Sequence, residues 1–372
     1  MEKPLFRWGI LGAAQIARKN WKAVWNSGNG AVAAVASRSV DRAREFIGGC
    51  QAVVPFPVAP RAMGSYEEMV ESPDLDGFYI PLPTGIRKEW VLRAARAGKH
   101  VVCEKPCAVR LEDLGEMIEA CRQHGVQFMD GVMFSHSRRL DMMRQALADP
   151  DVIGPIRRIE SAFSFRGDED FFRTNIRAAA GLEPHGCLGD LGWYCIRFAL
   201  WVMEGRLPRQ VRGQMIAASP GAAGQGIPAD FSGDLLFDGG VSSGFYCSFL
   251  TALRQSASVS GTRGSLELSD FVLPWLGCDT RFETCQPDQF INGCDFNMEP
   301  RRRAWSAPEY SHSHPSAQET NLFRDFAAQA QSGGLNQEWP AMAFKTQQVM
   351  EACRASSRAG GMPVELAPAA GR

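Results

Sequence analysis

Phe6-Arg7-Trp8-Gly9-Ile10-Leu11-Gly12-Ala13-Ala14-Gln15-Ile16-Ala17 is the stretch on which the fold turns. Residues 6–11 read as a strand and Gly12 to Ala14 as a turn of small residues. A helical pattern follows, with Ile16, Ala17, Trp21, Val24 and Trp25 at helical spacing. The turn occupies the place of a G-x-G-x-x-G fingerprint, with Ala14 and Ala17 in the second and third glycine positions. Gly12 permits the tight strand-to-helix turn. Ala14 is the smallest side chain that still carries a Cβ where a pyrophosphate would approach, and Ala17 allows close helix–sheet packing. The helix start offers unpaired N–H groups and a positive dipole end to an anion. Alone, such a turn also suits an ordinary α/β protein. Its position after the first strand of a βαβ unit points to a dinucleotide.

Outward from that turn, strand and helix alternate. Strands are expected at 30–36, 76–80, 101–103 and 126–129, and helices at 41–47, 86–97 and 111–123. A further helix should follow Ser65, with Glu68 at the reciprocal capping-box position. Regular alternation implies a parallel sheet with helices on both faces and right-handed crossovers. This is the doubly wound architecture of the Rossmann type, with its ligand crevice at the carboxyl ends of the strands. The expected boundaries are 1–130 for this domain and 131–372 for a second. There the rhythm gives one strong helix at about 187–204 and strand-like runs at 209–217, 231–237, 241–249, 256–261 and 264–268. Short gaps and polar/apolar alternation predict an α+β domain with a largely antiparallel, open sheet. Residues 218–228 and about 274–316 read as loops, and a closing helix pair is expected at 317–331 and 341–357.

A chain of 372 residues accommodates two domains. Its formal net charge of −1 gives no drive toward nucleic acid or an anionic membrane surface. The run Arg301 to Arg303 reads as a solvated loop. Eleven cysteines, spread without paired two-residue gaps, suggest reduced thiols and neither a disulfide scaffold nor a zinc site. The start of the chain shows no secretory pattern and no stretch reaches a membrane-spanning length, so a cytoplasmic protein is expected.

The end of the second strand, Ala36-Ser37-Arg38-Ser39 with Arg42 one turn later, lacks the acid that accepts ribose hydroxyls in NAD-selective domains. A guanidinium and hydroxyls suit a 2′-phosphate, which favours NADP while leaving NAD possible. Two further segments carry chemistry. Glu104-Lys105-Pro106 follows strand 101–103 directly. Gly186-Cys187-Leu188-Gly189-Asp190-Leu191-Gly192-Trp193-Tyr194 sets Asp190 and Tyr194 four residues apart, on one face of a helix.

Together these segments resemble the glucose–fructose oxidoreductase / inositol dehydrogenase / MocA family over nearly the whole chain. The resemblance extends to Ser65–Met69, Tyr79–Thr84, Ala97–Pro106 and Ser260–Leu266. Many members carry His where this chain has Tyr194. That departure resembles the branch with xylose dehydrogenase and dihydrodiol dehydrogenase. The family's usual His after the fourth strand is also changed, with Arg87 near that place. The resemblance implies an NADP-dependent oxidoreductase acting on a sugar, polyol or cyclic diol. Tyr194 is then its acid/base, Lys105 the ammonium that stabilises a phenolate, and Asp190 an orienting group. A tyrosine ordinarily ionises near pH ~10, too high for efficient proton abstraction without such a neighbour. Gly12, Ala13, Ala14, Gln15, Ile16, Ser37, Arg38, Arg42, Pro81, Leu82, Thr84, Arg87, Glu104 and Lys105 are the expected cofactor contacts. Arg177, Phe163, Phe165, Trp193 and His136 are candidates for the substrate side. His185 reads equally as a loop residue. His312 and His314 lack nearby carboxylate or thiolate partners, so no metal is expected. The resemblance also implies a homodimer or homotetramer formed through the second domain's open sheet face. Two other functions stay open: a lyase or glycosidase-like enzyme with transient substrate oxidation, and a non-catalytic NADP-binding regulator.

Overall fold

The computed structural model describes residues 4–179, 181–219 and 226–366. In chain order the elements begin with β1 (Phe6–Leu11), α1 (Gln15–Ser27), β2 (Gly30–Ala36), α2 (Val40–Gln51), β3 (Arg61–Met63) and α3 (Tyr66–Val70). Next come β4 (Gly77–Ile80), α4 (Thr84–Arg96), β5 (His100–Cys103), α5 (Leu111–Gln123), β6 (Phe128–Asp130) and α6 (Arg139–Ala148). They continue with β7 (Ile156–Ser164), α7 (Glu169–Thr174), α8 (Trp193–Val202), β8 (Gln210–Ala218), β9 (Pro228–Leu236) and β10 (Ser242–Ser248). The last are β11 (Arg254–Gly261), β12 (Ser265–Leu268), β13 (Thr280–Asn292), β14 (Asp295–Ala307), α9 (Gln318–Ala330), α10 (Glu338–Arg358) and β15 (Val364–Glu365).

Two compact units result, and neither is continuous in sequence. The first comprises the chain up to His136 with Ala179–Pro184 and His312–Gln348. The second comprises Ser137–Ala178, His185–Ser311 and the chain from Val349. The first unit's sheet has the order β3-β2-β1-β4-β5-β6, with every pairing parallel. That is the doubly wound order, whose switch point lies between β1 and β4. β3 was not apparent in the sequence, being three residues long with one exposed. The expected capping box at α3 is half present. Ser65 Oγ accepts from Glu68 N at 3.3 Å, but the carboxylate that meets Ser65 belongs to Glu67, at 2.8 Å.

A single cut at residue 130 does not separate these units, because α9 completes the core of the first. Phe323 lies edge-on to Trp8 with ring centroids 5.2 Å apart, and Phe326 lies 5.4 Å from Trp8 and 6.2 Å from Phe6. The Arg324 guanidinium donates to Ser27 O at 2.9 Å and Asn26 O at 3.1 Å. The bulky rings of β1 therefore find their cover about three hundred residues downstream.

The second unit is built on a nine-stranded sheet, β14-β13-β12-β11-β7-β10-β9-β8-β15. β7 and β10 run parallel, and the other pairs are antiparallel. α8 packs on β7 and β10, with Phe163, Phe198 and Phe271 meeting in the core. Two expectations need correction here. The helix expected at 187–204 is α8 preceded by a π turn, Leu188–Gly192. The region 274–316 is no loop: it holds the long hairpin β13–β14, paired from Thr280↔Ala307 out to Asn292↔Asp295. Asn292-Gly293 at its tip is a hairpin signal. The alternation around it is masked by Pro287, Pro300 and a ribbon polar or exposed on both faces. Arg301, Arg302 and Arg303 are therefore exposed strand residues, and Arg303 stacks 3.7 Å over the Trp305 ring. Residues 220–225 of the expected loop 218–228 lie outside the described residues. Among the described residues no helix is long and apolar enough to cross a membrane.

Candidate active site

In the first unit the carboxyl ends of β1, β2, β4 and β5 bring the expected cofactor residues to one edge of the sheet. Gly12 has φ +115° and donates its N–H to Ala36 O at 3.0 Å. A Cβ there would sit 3.0 Å from Leu82 Cδ2. Glycine is needed on both counts. Ala14 is the N-cap of α1, with no side-chain cap and no acid in the first turn. The leading N–H groups of α1 thus remain for an anion, as a pyrophosphate requires. Ala13 and Ile16 pack partly against the core, while Gln15 is exposed. At the end of β2, Ser37 is buried and donates its N–H to Met63 O at 3.1 Å. Ser39 caps α2 by accepting from Arg42 N at 3.3 Å. Arg38 and Arg42 are exposed and near Tyr66. Burial pushes the Tyr66 phenol up, against the pull of those two charges. The donor set at this edge therefore fits a phosphate-bearing dinucleotide.

Several residues expected to touch a cofactor have other partners. Arg87 is 3 % exposed, and its guanidinium binds three backbone carbonyls: Leu82 O, Glu104 O and Pro106 O. These bonds tie the Pro81-Leu82-Pro83 turn to Glu104-Lys105-Pro106. Glu104 is buried, accepts from Tyr79 Oη at 2.7 Å and from Lys105 N at 3.2 Å, and is edged by Gly131. Burial and the Glu104 carboxylate push the Tyr79 phenol well above its usual range, so Tyr79 donates and Glu104 accepts. Thr84 is claimed by Glu183, whose carboxylate accepts Thr84 N at 3.0 Å and Oγ1 at 2.6 Å. Glu183 thereby caps α4, whose N-cap Pro83 offers no side-chain bond. Pro81 and Leu82 are buried at the end of β4. Lys105 is partly buried immediately after β5, and the Lys105–Pro106 peptide is cis. Sequence reasoning missed Tyr79 and Glu183 as supports. The 99-residue separation of Glu183 from Thr84 leaves no local signal.

In the second unit Arg177 Nε lies 3.3 Å from Asp190 Oδ2, an ion pair uniting two expected residues. Asp190 sits in the π turn and Tyr194 in the first turn of α8. The Tyr194 ring meets Phe163 of β7 edge-on at 5.6 Å and is 8 % exposed. Phe165 turns instead to Phe171 and Phe249, with centroids 5.4 and 5.1 Å away. Trp193 is fully buried. Gly186 opens the motif at φ +52°, where a Cβ would lie 2.2 Å from Pro228 O. His185 is buried, with Nδ1 3.0 Å from the Arg354 guanidinium.

His136 belongs to the first unit, with Nδ1 2.7 Å from Asp325 Oδ2 of α9 and its side chain 6 % exposed. This anchors it to α9. His314 Nδ1 meets Ser316 Oγ at 3.0 Å, and His312 adopts φ +59°. No group of three or more His, Cys, Asp or Glu placed to hold a metal ion occurs among the described residues. All eleven cysteines are free thiols, and burial pushes Cys107 and Cys247 well above the usual thiol range.

The profile of the oxidoreductase family with NAD-binding Rossmann fold matches residues 6–132, and that of the GFO/IDH/MocA C-terminal domain matches 142–267. An uncharacterized oxidoreductase of Rhizobium meliloti is 34% identical over 267 residues, covering 72% of this chain and 75% of that protein. The trans-1,2-dihydrobenzene-1,2-diol dehydrogenase of Bos taurus is 32% identical over 267 residues, 71% of this chain and 74% of the other. In fold, the chain is similar to a 3-ketoreductase of Actinomadura kijaniata solved with NADP and TDP-benzene. The TM-score is 0.78 at 24% identity, over 95% of this chain and 98% of that one. With the doubly wound first unit, the open-sheet second unit and these relatives in agreement, the chain belongs to the GFO/IDH/MocA oxidoreductase family.

Proposed function

We propose that this enzyme moves a hydride between NADP and a hydroxyl-bearing carbon of a sugar, polyol or cyclic diol, with Tyr194 as acid/base assisted by Lys105. The observation that carries the reading is the pair of family segments in their structural settings. Glu104-Lys105-Pro106 stands at the carboxyl end of β5, and the Asp190–Tyr194 segment lies across the π turn into α8. The nicotinamide, when bound, supplies the hydride chemistry. The N–H groups at the start of α1 hold the pyrophosphate, and Arg38 and Arg42 bind the 2′-phosphate. Arg87 and Glu104 fix the backbone that carries Lys105. Tyr194 Oη takes the hydroxyl proton in oxidation and returns it in reduction, and the Lys105 ammonium favours the phenolate. Asp190, paired with Arg177, orients the substrate. Substrates of this kind suit the cyclic-diol chemistry in the name of the bovine relative.

Eleven free thiols fit a reducing compartment, and the cytoplasm is the proposed location. The proposed assembly is a homodimer or homotetramer paired through the open face of the nine-stranded sheet.

The test is Tyr194→Phe. Turnover on a panel of aldoses, inositols and cyclic diols should fall by about 100-fold or more, while NADP titrates with unchanged affinity. Full activity in that variant sinks the assignment. Substrate conversion without net NADPH formation would instead favour the lyase reading. Arg38→Ala should weaken NADP by about tenfold or more and leave NAD unchanged. Equal losses for both cofactors would remove Arg38 from the 2′-phosphate site.

A further inference from the structure

The β13–β14 hairpin outruns the sheet it belongs to. β12 pairs with β13 only at Ser265↔Cys285, Leu266↔Thr284 and Glu267↔Glu283, whereas β13 and β14 remain paired to Asn292↔Asp295. Beyond Cys285 the two strands form a ribbon with no third strand beside it. Gln286 to Asn292 reaches roughly 24 Å at about 3.4 Å per residue. Every residue from Gln289 to Ala304 is exposed.

The ribbon is two-faced. Residues directly opposed in an antiparallel pair share a face. Pro287/Pro300, Gln289/Met298 and Ile291/Phe296 make one face, and Asp288/Glu299, Phe290/Asn297 and Asn292/Asp295 belong to the other. On the first face Ile291 is 67% exposed, Met298 67% and Phe296 58%. Three of the ribbon's four large exposed apolar side chains share that side, Phe290 being the fourth, and such a cluster on an unsupported ribbon marks an interaction surface, since a lone two-stranded ribbon is marginal in water. That side continues the open face of the sheet. Arg281 and Glu283 alternate with Phe282 and Thr284, and the latter two are buried at 2% and 3%.

The character of the open face identifies the occupant. Arg158, Arg254 and Arg281 share it with Glu160, Asp234, Glu267 and Glu283. Cations and anions are interspersed across neighbouring strands, so the face offers little to a partner of one sign. It can satisfy itself across a two-fold axis, where each patch meets its own copy.

We infer that the ribbon is an arm that closes over a second copy of this chain, each copy packing Ile291, Phe296 and Met298 onto the other. This rests on the proposed pairing through the open sheet face. The test is sedimentation velocity on the full chain across a concentration series, comparing three variants with the parent. Ile291→Ser/Phe296→Ser/Met298→Ser should raise the dimer dissociation constant at least about 100-fold, and Phe290→Ser on the opposite face should change it less than about threefold. Arg158→Glu/Arg254→Glu tests the sheet face separately. All targets are at or near the surface, so an unchanged melting temperature certifies folding. A bifunctional crosslinker on the exposed Cys294 thiol at the ribbon's tip should give a two-chain product, lost in the triple variant. A parent that is monomeric throughout overturns both ideas. A parent dimer that the triple variant leaves intact overturns the arm alone. A dimer broken by the triple variant but indifferent to the charge reversals keeps the arm and removes the sheet-face pairing.

Discussion

Arg87, Glu104 and Thr84 show how a polar side chain near a crevice can be committed before any ligand arrives. Arg87 spends its guanidinium on three carbonyls, Glu104 accepts from a buried phenol, and Thr84 is bound by Glu183. A buried polar group without a partner is costly, so these bonds hold the turns that present Lys105. His100, at the start of β5, makes a different commitment. Its Nδ1 accepts from Gln127 N at 2.9 Å, and burial lowers its pKa against the opposing pull of Asp76. The folded state therefore binds this proton less readily than the unfolded chain. The stabilising contribution is complete above the ordinary histidine value of about 6.5 and is lost as pH falls through it toward the folded value. The expected result is that the parent's melting temperature drops between pH 7.5 and 5.5 more steeply than that of His100→Asn, which keeps an acceptor but does not titrate. Parallel slopes would show that His100 is not the group responsible.

The π turn is where an element departs from its sequence signature. Leu188 to Gly192 reads as helix by composition, and helix it is, but bonded i→i+5 before α8 begins at Trp193. Gly186 shows how tightly this entry is built, with the backbone of Pro228 at the start of β9 lying where a side chain would go. Gly186→Ala should cost about 1–2 kcal/mol from left-handed strain alone, before any clash is relieved. Calorimetry should register it as a lower melting temperature with reduced or absent activity. A variant as stable as the parent would mean that β9 and the π turn can separate freely.

At the level of the whole molecule, the first unit depends on residues from the far end of the chain. Phe6 and Trp8 of β1 are covered by Phe323 and Phe326 of α9, and His136 is held by Asp325. Phe326→Ala should therefore destabilise the enzyme by about 3–5 kcal/mol, a core-sized loss for a residue distant in sequence from the nucleotide fingerprint. A fragment ending at residue 136 should bind the dye ANS and melt without a cooperative transition. A fragment that melts sharply would show that β1 has adequate cover of its own. The strand–helix rhythm of residues 6–130 was legible, β3 apart, because its elements carry their own periodicity. The cover of β1 was not, because α9 has an ordinary amphipathic pattern that names no partner.

By itself the sequence determined the doubly wound first domain, the small-residue turn that opens α1, the basic end of β2 and the segments holding Lys105, Asp190 and Tyr194. These are local statements about periodicity, turn chemistry and residue type, and a chain carries them wherever it folds. Only the tertiary structure decided that Glu183 caps α4, that Arg87 and Tyr79 serve the Glu104-Lys105-Pro106 turn, that α9 belongs to the first unit, and that residues 280–307 form a projecting hairpin. Each depends on which distant group satisfies a buried donor, covers an apolar ring or pairs along a strand. Such choices are made among competing partners in the folded state and leave no spacing in the sequence to reveal them.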